Sequence, residues 1–377
     1  METQRFYGQD CYQLTNGETA VAVTRSGAHL GPVTFFADAG RPVRPYYISP
    51  WQDEGLDIAD PVLRMLRGDF FCMPFGPSDG TTDAAQPAHG EAATADWEAL
   101  DCTRSGQTTT LRLRLETALR PGWIACDHTL VDGHACLYTR HTIGGNAGAV
   151  TLGHHATLTA ANGPLAIRSA PIRFGITSPR DYPWMRDGEY GALAPAARFD
   201  SLERVPTIWK EPAFTDCSVF PAREGFVDIL QVVQEPSNTP GWITALCRAG
   251  GYLWFALKRT DLLPSTVIWM ENRGRHVAPW SGRNTCIGLE DVCSYVALGL
   301  KASRDPNPVN AEGIPTVMPL DGSPVTIPYI QGVVRTPPDF DALEAVAFEP
   351  DGVVFTAYSG ARARTPVHIG FLNGDTL

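Results

Sequence analysis

The stretch Thr108–Glu116 (TTTLRLRLE) puts Leu111, Leu113 and Leu115 on one side of an extended chain and Arg112, Arg114 and Glu116 on the other. A sustained period of two belongs to a strand with one buried face. Apolar or β-branched runs of strand length recur along the chain: HLGPVTFFA, VTLGHHATL, FVDILQVV, GYLWFAL, TVIWMEN and TCIGLEDV. Asn16-Gly17, Asp132-Gly133 and Asp351-Gly352 punctuate them as hairpin turns, because these residue types tolerate positive φ. Helical signal is confined to Asp60–Leu66, with Asp60 as N-cap and Pro61 at the first helical position. Strands without intervening helices predict an all-β fold, an antiparallel sandwich or barrel. The segment 177–198 carries no period and is broken by Pro179, Pro183 and Pro195, the pattern of a long ordered loop over a binding cleft.

Composition narrows the function. With 44% hydrophobic residues among 377, the chain can bury a large core. Its formal charge of −11, with Lys only at positions 210, 258 and 301, argues against the basic face that nucleic acid requires. The stretch Asn146–Ile167, free of Asp, Glu, Lys and Arg, is interrupted by His154, His155 and Asn162, so no membrane span is expected. The first ten residues lack the apolar region of a secretory signal. Nine scattered Cys without a CxxC pair read as buried free thiols, and the expectation is a cytoplasmic protein. The sequence holds no GxxxxGK[ST], HExxH or EF-hand loop. Gly144, Gly145 and Gly148 open no helix, and Asp53, Glu54, Asp57 and Asp60 lack regular ligand spacing, so neither a nucleotide cofactor nor a metal is expected.

Four polar groups lie embedded in apolar strands, where polarity needs a reason. They are Arg67-Gly68-Asp69-Phe70-Phe71-Cys72-Met73-Pro74-Phe75-Gly76, then Pro87-Ala88-His89-Gly90 ahead of Trp97, then Gly153-His154-His155-Ala156-Thr157-Leu158, then Ile287-Gly288-Leu289-Glu290-Asp291. In this order they resemble the galactose mutarotase (aldose 1-epimerase) superfamily, nearest its hexose-6-phosphate 1-epimerase-like branch. The resemblance covers roughly Thr19 to Leu300, with Gly313–Val334 as closing strands. It implies one mutarotase-like sandwich over residues 1–336, with 337–377 as a C-terminal β extension. That extension would cap a sheet edge or form a homodimer contact.

The resemblance also implies a sugar in a cleft on one sheet, with α- and β-anomers interconverted through ring opening. Carried over by position, Glu290 is the general base and His155 the acid that protonates the ring oxygen. Neighbouring residues on a strand face opposite ways, so His154 is expected behind the sheet. Arg67 and His89 would hydrogen-bond sugar hydroxyls, Asp216 would bind the sugar, and Trp184 would stack on its ring. Each has a plainer reading: Arg67 pairing with Asp69 or Glu91, His89 and Asp216 as turn residues, both histidines as satisfied core groups. Asp69 sits where phosphate-branch relatives carry a small or apolar residue, and after His89-Gly90 the run Glu91-Ala92-Ala93 lacks the Arg that branch carries a little further on. Both departures argue for a free or modified monosaccharide over a sugar phosphate. The alternative function is a non-catalytic carbohydrate-binding protein on the same scaffold. A hydrolase or lyase would want two carboxylates flanking a bond, and the adjacent Glu290 and Asp291 cannot share a face.

Overall fold

The computed structural model describes residues 1–78, 86–179, 186 and 188–377. The predicted runs all form strands. Leu30–Thr34 joins the N-terminal strands Gln4–Phe6, Gln9–Thr15 and Ala20–Thr24 in a four-stranded sheet, and among the described residues the others lie in two large antiparallel sheets. One runs, in spatial order, Arg198–Phe199, Ile172–Thr177, Phe226–Gln234, Ser265–Asn272, Thr285–Cys293, Leu152–His154 and Phe71–Cys72, with Ala156–Thr159 also paired to Thr285–Cys293. The other runs Val219–Phe220, Leu165–Ser169, Gly241–Cys247, Tyr252–Lys258, Val325–Arg335, Cys136–Gly144, Gly122–Val131, Thr108–Thr117 and Glu98–Ser105. Asp132-Gly133 turns between two strands of the second sheet, with Gly133 at φ 76°. The short helix is Pro61–Met65, and the Val62 amide donates to the Asp60 carboxylate at its N-cap.

Parity along the strands sorts the side chains into layers. Leu230, Val232, Ile268, Met270, Ile287 and Leu289 of the first sheet meet Leu111, Leu113, Leu115, Trp254 and Tyr329 of the second in the inter-sheet core. The alternate residues Ile229, Val233, Val267, Trp269 and Val292 face outward, where Tyr47, Trp51, Val62, Phe70 and Trp280 cover them. The first sheet is therefore buried on both sides, and its outer face is roofed by loops and the short helix. That roof leaves room for a cavity.

The outer face of the second sheet is covered as well. Leu253, Phe255, Leu257 and Ile330 pack against Phe340, Val353, Phe355 and Phe371 of the C-terminal segment. The strands Leu343–Glu349, Gly352–Ala357 and Arg362–Pro366 form their own three-stranded sheet. The segment after Pro337 thus lies on a sheet face, where an edge cap had been one expectation. Eight of the nine cysteines are buried, all nine are free, and no described helix is long and apolar enough to cross a membrane.

Candidate active site

Strand register brings the two proposed catalytic residues together. Gly153 pairs with Val292 and Ala156 with Leu289, which sets His155 across from Glu290 on neighbouring strands. Their side chains meet on the outer face of the first sheet, with His155 Nε2 3.3 Å from Glu290 Oε1. Gly288 makes room for this carboxylate, since a Cβ there would lie 2.2 Å from Glu290 Oε1. The His155 ring stacks on Phe70 at 4.5 Å, and its Nδ1 lies 3.2 Å from Thr157 Oγ1. Both residues are almost fully buried, yet both line a cavity of about 600 Å³.

Burial sets the electrostatics. Desolvation pushes the Glu290 carboxyl well above the usual carboxylate range, with Arg275 pulling the other way. Desolvation, and then the neighbouring His89, drive the His155 imidazole well below its ordinary value. The pair therefore favours one proton shared between an acid and an imidazole.

The other faces of these two strands hold different chemistry. His154 points between the sheets, stacked on Tyr329 at 3.9 Å with Nδ1 2.8 Å from Asp69 Oδ2. Asp291 accepts from Lys258 Nζ at 2.5 Å and from the Tyr329 hydroxyl at 2.9 Å. Asp291 is thus a buried ion-pair partner on the far side of the sheet from Glu290.

His89 also lines the cavity, its ring centroid 4.9 Å from that of His155. It sits at φ 61°, with Nδ1 3.3 Å from Cys72 Sγ. Desolvation lowers its pKa to about 4, so it is a neutral hydrogen-bonding group at physiological pH. Gly90 next to it is obligatory, because a Cβ at φ 77° would lie 2.0 Å from the Met73 carbonyl oxygen.

Three expectations need correction or fall elsewhere. Arg67 lies outside the cavity lining, fully buried beneath the N-terminal strands. Its guanidinium donates to the carbonyls of Met65, Phe6, Gly31 and Tyr7 and to Gln52 Oε1, which occupies its fork of donors. It ties loops together and has nothing left for a sugar. Asp216 is exposed and accepts from the Ser218 amide and hydroxyl at 2.8 and 2.6 Å, a local turn away from the cavity. Trp184 lies outside the described residues. The argument against a phosphate also loses its basis, since Asp69 is buried against His154 and Glu91 accepts from the Ala118 and Leu119 amides.

The sequence reading missed Arg275, Trp269 and Trp280 as lining residues. Arg275 comes from the turn between the strands Ser265–Asn272 and Thr285–Cys293, 4.5 Å from the Trp280 ring centroid and 5.3 Å from that of Trp269. Its Nε is 3.5 Å from the buried Glu271 Oε2. The Trp269 indole N–H is buried without a hydrogen-bond partner among the described residues. The parity of TVIWMEN, which shares its outward face with Val267, was the available signal for Trp269.

No protein-family model matches the sequence, and no curated protein matches it either. Solved structures do. A galactose mutarotase-like protein from Clostridium acetobutylicum superposes with a TM-score of 0.58 at 10% identity, covering 89% of this chain and 98% of that one. The chain has the galactose mutarotase-like fold. A candidate aldose 1-epimerase from Escherichia coli K12 gives a TM-score of 0.56 at 14% identity, over 86% of this chain and 99% of that one. A galactose mutarotase related enzyme from Lactobacillus acidophilus gives 0.53 at 12%, over 86% and 97%. None of these three singles out the hexose-6-phosphate branch. The mutarotase-like fold accounts for the two-sheet architecture.

Proposed function

We propose that this protein catalyses anomerisation of a sugar hemiacetal by general acid–base ring opening and closure. The observation that carries the reading is the facing pair His155 and Glu290, 3.3 Å apart at a cavity of sugar size. With a pyranose seated there, the Glu290 carboxylate takes the proton of the anomeric hydroxyl while His155 Nε2 protonates the ring oxygen. The C1–ring oxygen bond breaks and C1 becomes an aldehyde. Rotation about C1–C2 presents its other face, and the two proton transfers run in reverse. The neutral pair, with Glu290 protonated and His155 uncharged, holds the same number of protons as the reactive ion pair. Entry into the reactive state is one internal proton transfer, which polar sugar oxygens favour by solvating the charges.

His89 and the Trp269 indole N–H supply hydrogen bonds to hydroxyls, and Trp280 offers a flat surface for the apolar face of the ring. Polarimetry or one-dimensional NMR on freshly dissolved aldoses tests the reading. Glu290→Gln is expected to abolish acceleration while sugar binding persists, and His155→Asn to slow turnover by about 10²–10⁴-fold, the usual worth of one general acid. Unchanged rates in both variants refute the assignment. Tight sugar binding by a wild-type protein that accelerates nothing identifies a carbohydrate-binding scaffold instead.

A further inference from the structure

The walls of the cavity say more about its ligand than the acid–base pair does. A free hexose presents hydroxyls around its whole ring, and recognition needs a matching ring of short polar side chains. Among the described lining residues there is no Asn, Gln, Ser, Thr or Tyr. Near the reacting pair, His89 Nδ1 and Arg275 are already engaged with Cys72 and Glu271, which leaves the other His89 nitrogen and the Trp269 indole N–H for a few hydroxyls. Asp57, Asp60 and Arg186 also line the cavity, Asp60 being held as the N-cap of the short helix, and the remaining described lining residues are hydrocarbon. Leu56, Ile58 and Leu63 come from the loop and helix on one side, and Val277, Pro279 and Trp280 from the turn on the other.

Two of these residues are unusual for their exposure. Leu56 and Val277 are each 46% exposed, and both belong to this one cavity. Single exposed apolar residues need no explanation, but two that join a continuous apolar wall mark a surface built to be covered. The two sides are also braced against each other, since Arg283 donates to Glu54 and Trp51 meets Trp280 edge-on at 5.0 Å. The apolar walls are thus preorganised.

We infer that the physiological ligand is a sugar bearing an apolar substituent away from its anomeric carbon, such as an acyl or aryl group, which lies between the Leu56 and Val277 walls. The inference rests on the reading of this cavity as a sugar hemiacetal site, with C1 at His155 and Glu290. The substituent would gain affinity by leaving water, while the ring needs only the few polar groups around the pair.

The test uses the full chain, with glucose and 6-O-octanoyl-glucose below its micelle concentration as probes. Binding is measured by calorimetry and anomerisation by NMR. The ester is expected to bind at least about tenfold more tightly than glucose, since burying two methylenes already gives that factor. The double variant Leu56→Asn, Val277→Asn, at positions exposed enough to preserve folding, is expected to bring that ratio close to one. Equal binding of ester and glucose, no binding of either, or a preference that survives the double variant overturns the inference. Preferential binding without acceleration of either sugar leaves the inference standing and removes the catalytic reading.

Discussion

Replacing Arg67 by Met separates a structural arginine from a substrate ligand. Methionine keeps much of the apolar stem but removes every donor. The Phe6 and Tyr7 carbonyls are partly accessible and can turn to water, whereas the Gly31 and Met65 carbonyls and Gln52 Oε1 are bonded in buried surroundings. A hydrogen bond to a charged group contributes about 1.5–3 kcal/mol, and stranded buried acceptors keep their desolvation penalty. Against this stands relief from burying the cation, which is substantial because desolvation pulls the Arg67 pKa down to about 10. Three buried acceptors at about 2 kcal/mol each, less about 3 kcal/mol for that relief, leave a net loss of about 3 kcal/mol. In urea this lowers the unfolding midpoint by about 1 M for a chain of this size. Far-ultraviolet circular dichroism reads the midpoint, and sugar titration of the folded protein reads affinity. The expected result is a clear loss of stability with unchanged affinity. An unchanged midpoint together with affinity weakened tenfold or more would return Arg67 to the substrate and refute the reasoning.

The shared proton predicts a pH profile. Burial lowers the His155 pKa and raises that of Glu290, so the pair takes up a second proton only well below the ordinary imidazole value and loses its shared one only well above the ordinary carboxylate value. The rate of anomerisation should therefore not fall on acidification through about pH 6.5, where a free imidazole takes up its proton, and an acid-side loss with its midpoint there speaks against the shared-proton pair. The buried Lys258–Asp291 contact gives a stability test. Lys258→Met alone strands a carboxylate and is expected to cost about 3–5 kcal/mol in urea unfolding, while adding Asp291→Leu should recover most of the loss. No recovery in the double variant shows that the penalty came from packing.

Strand content, turn positions and the opposed faces of His154 and His155 were legible because the period of two fixes them locally. Register across strands was not, yet the two motifs that resemble a known family meet as the resemblance implies, since both lie within regular ladders where parity persists. Arg67, Asp216 and Arg275 were misread or missed for a different reason. Their roles depend on how irregular segments close over the sheet. Whether Arg67 faces a cleft or the carbonyls of Phe6 and Tyr7 is decided by the N-terminal strands folding over it. Arg275 reaches the cavity from a turn whose path no periodicity specifies.

The opposed placement of Glu290 and Asp291 has a consequence for how accurately this chain must assemble. A slide by one position that moved Val292 into the place of Asp291 would carry Glu290 to the interior site of Leu289 and leave the ammonium of Lys258 facing hydrocarbon. The ionic contact on one side thereby acts as a checkpoint for the reactive pair on the other, because a slide in that direction is penalised before any sugar arrives.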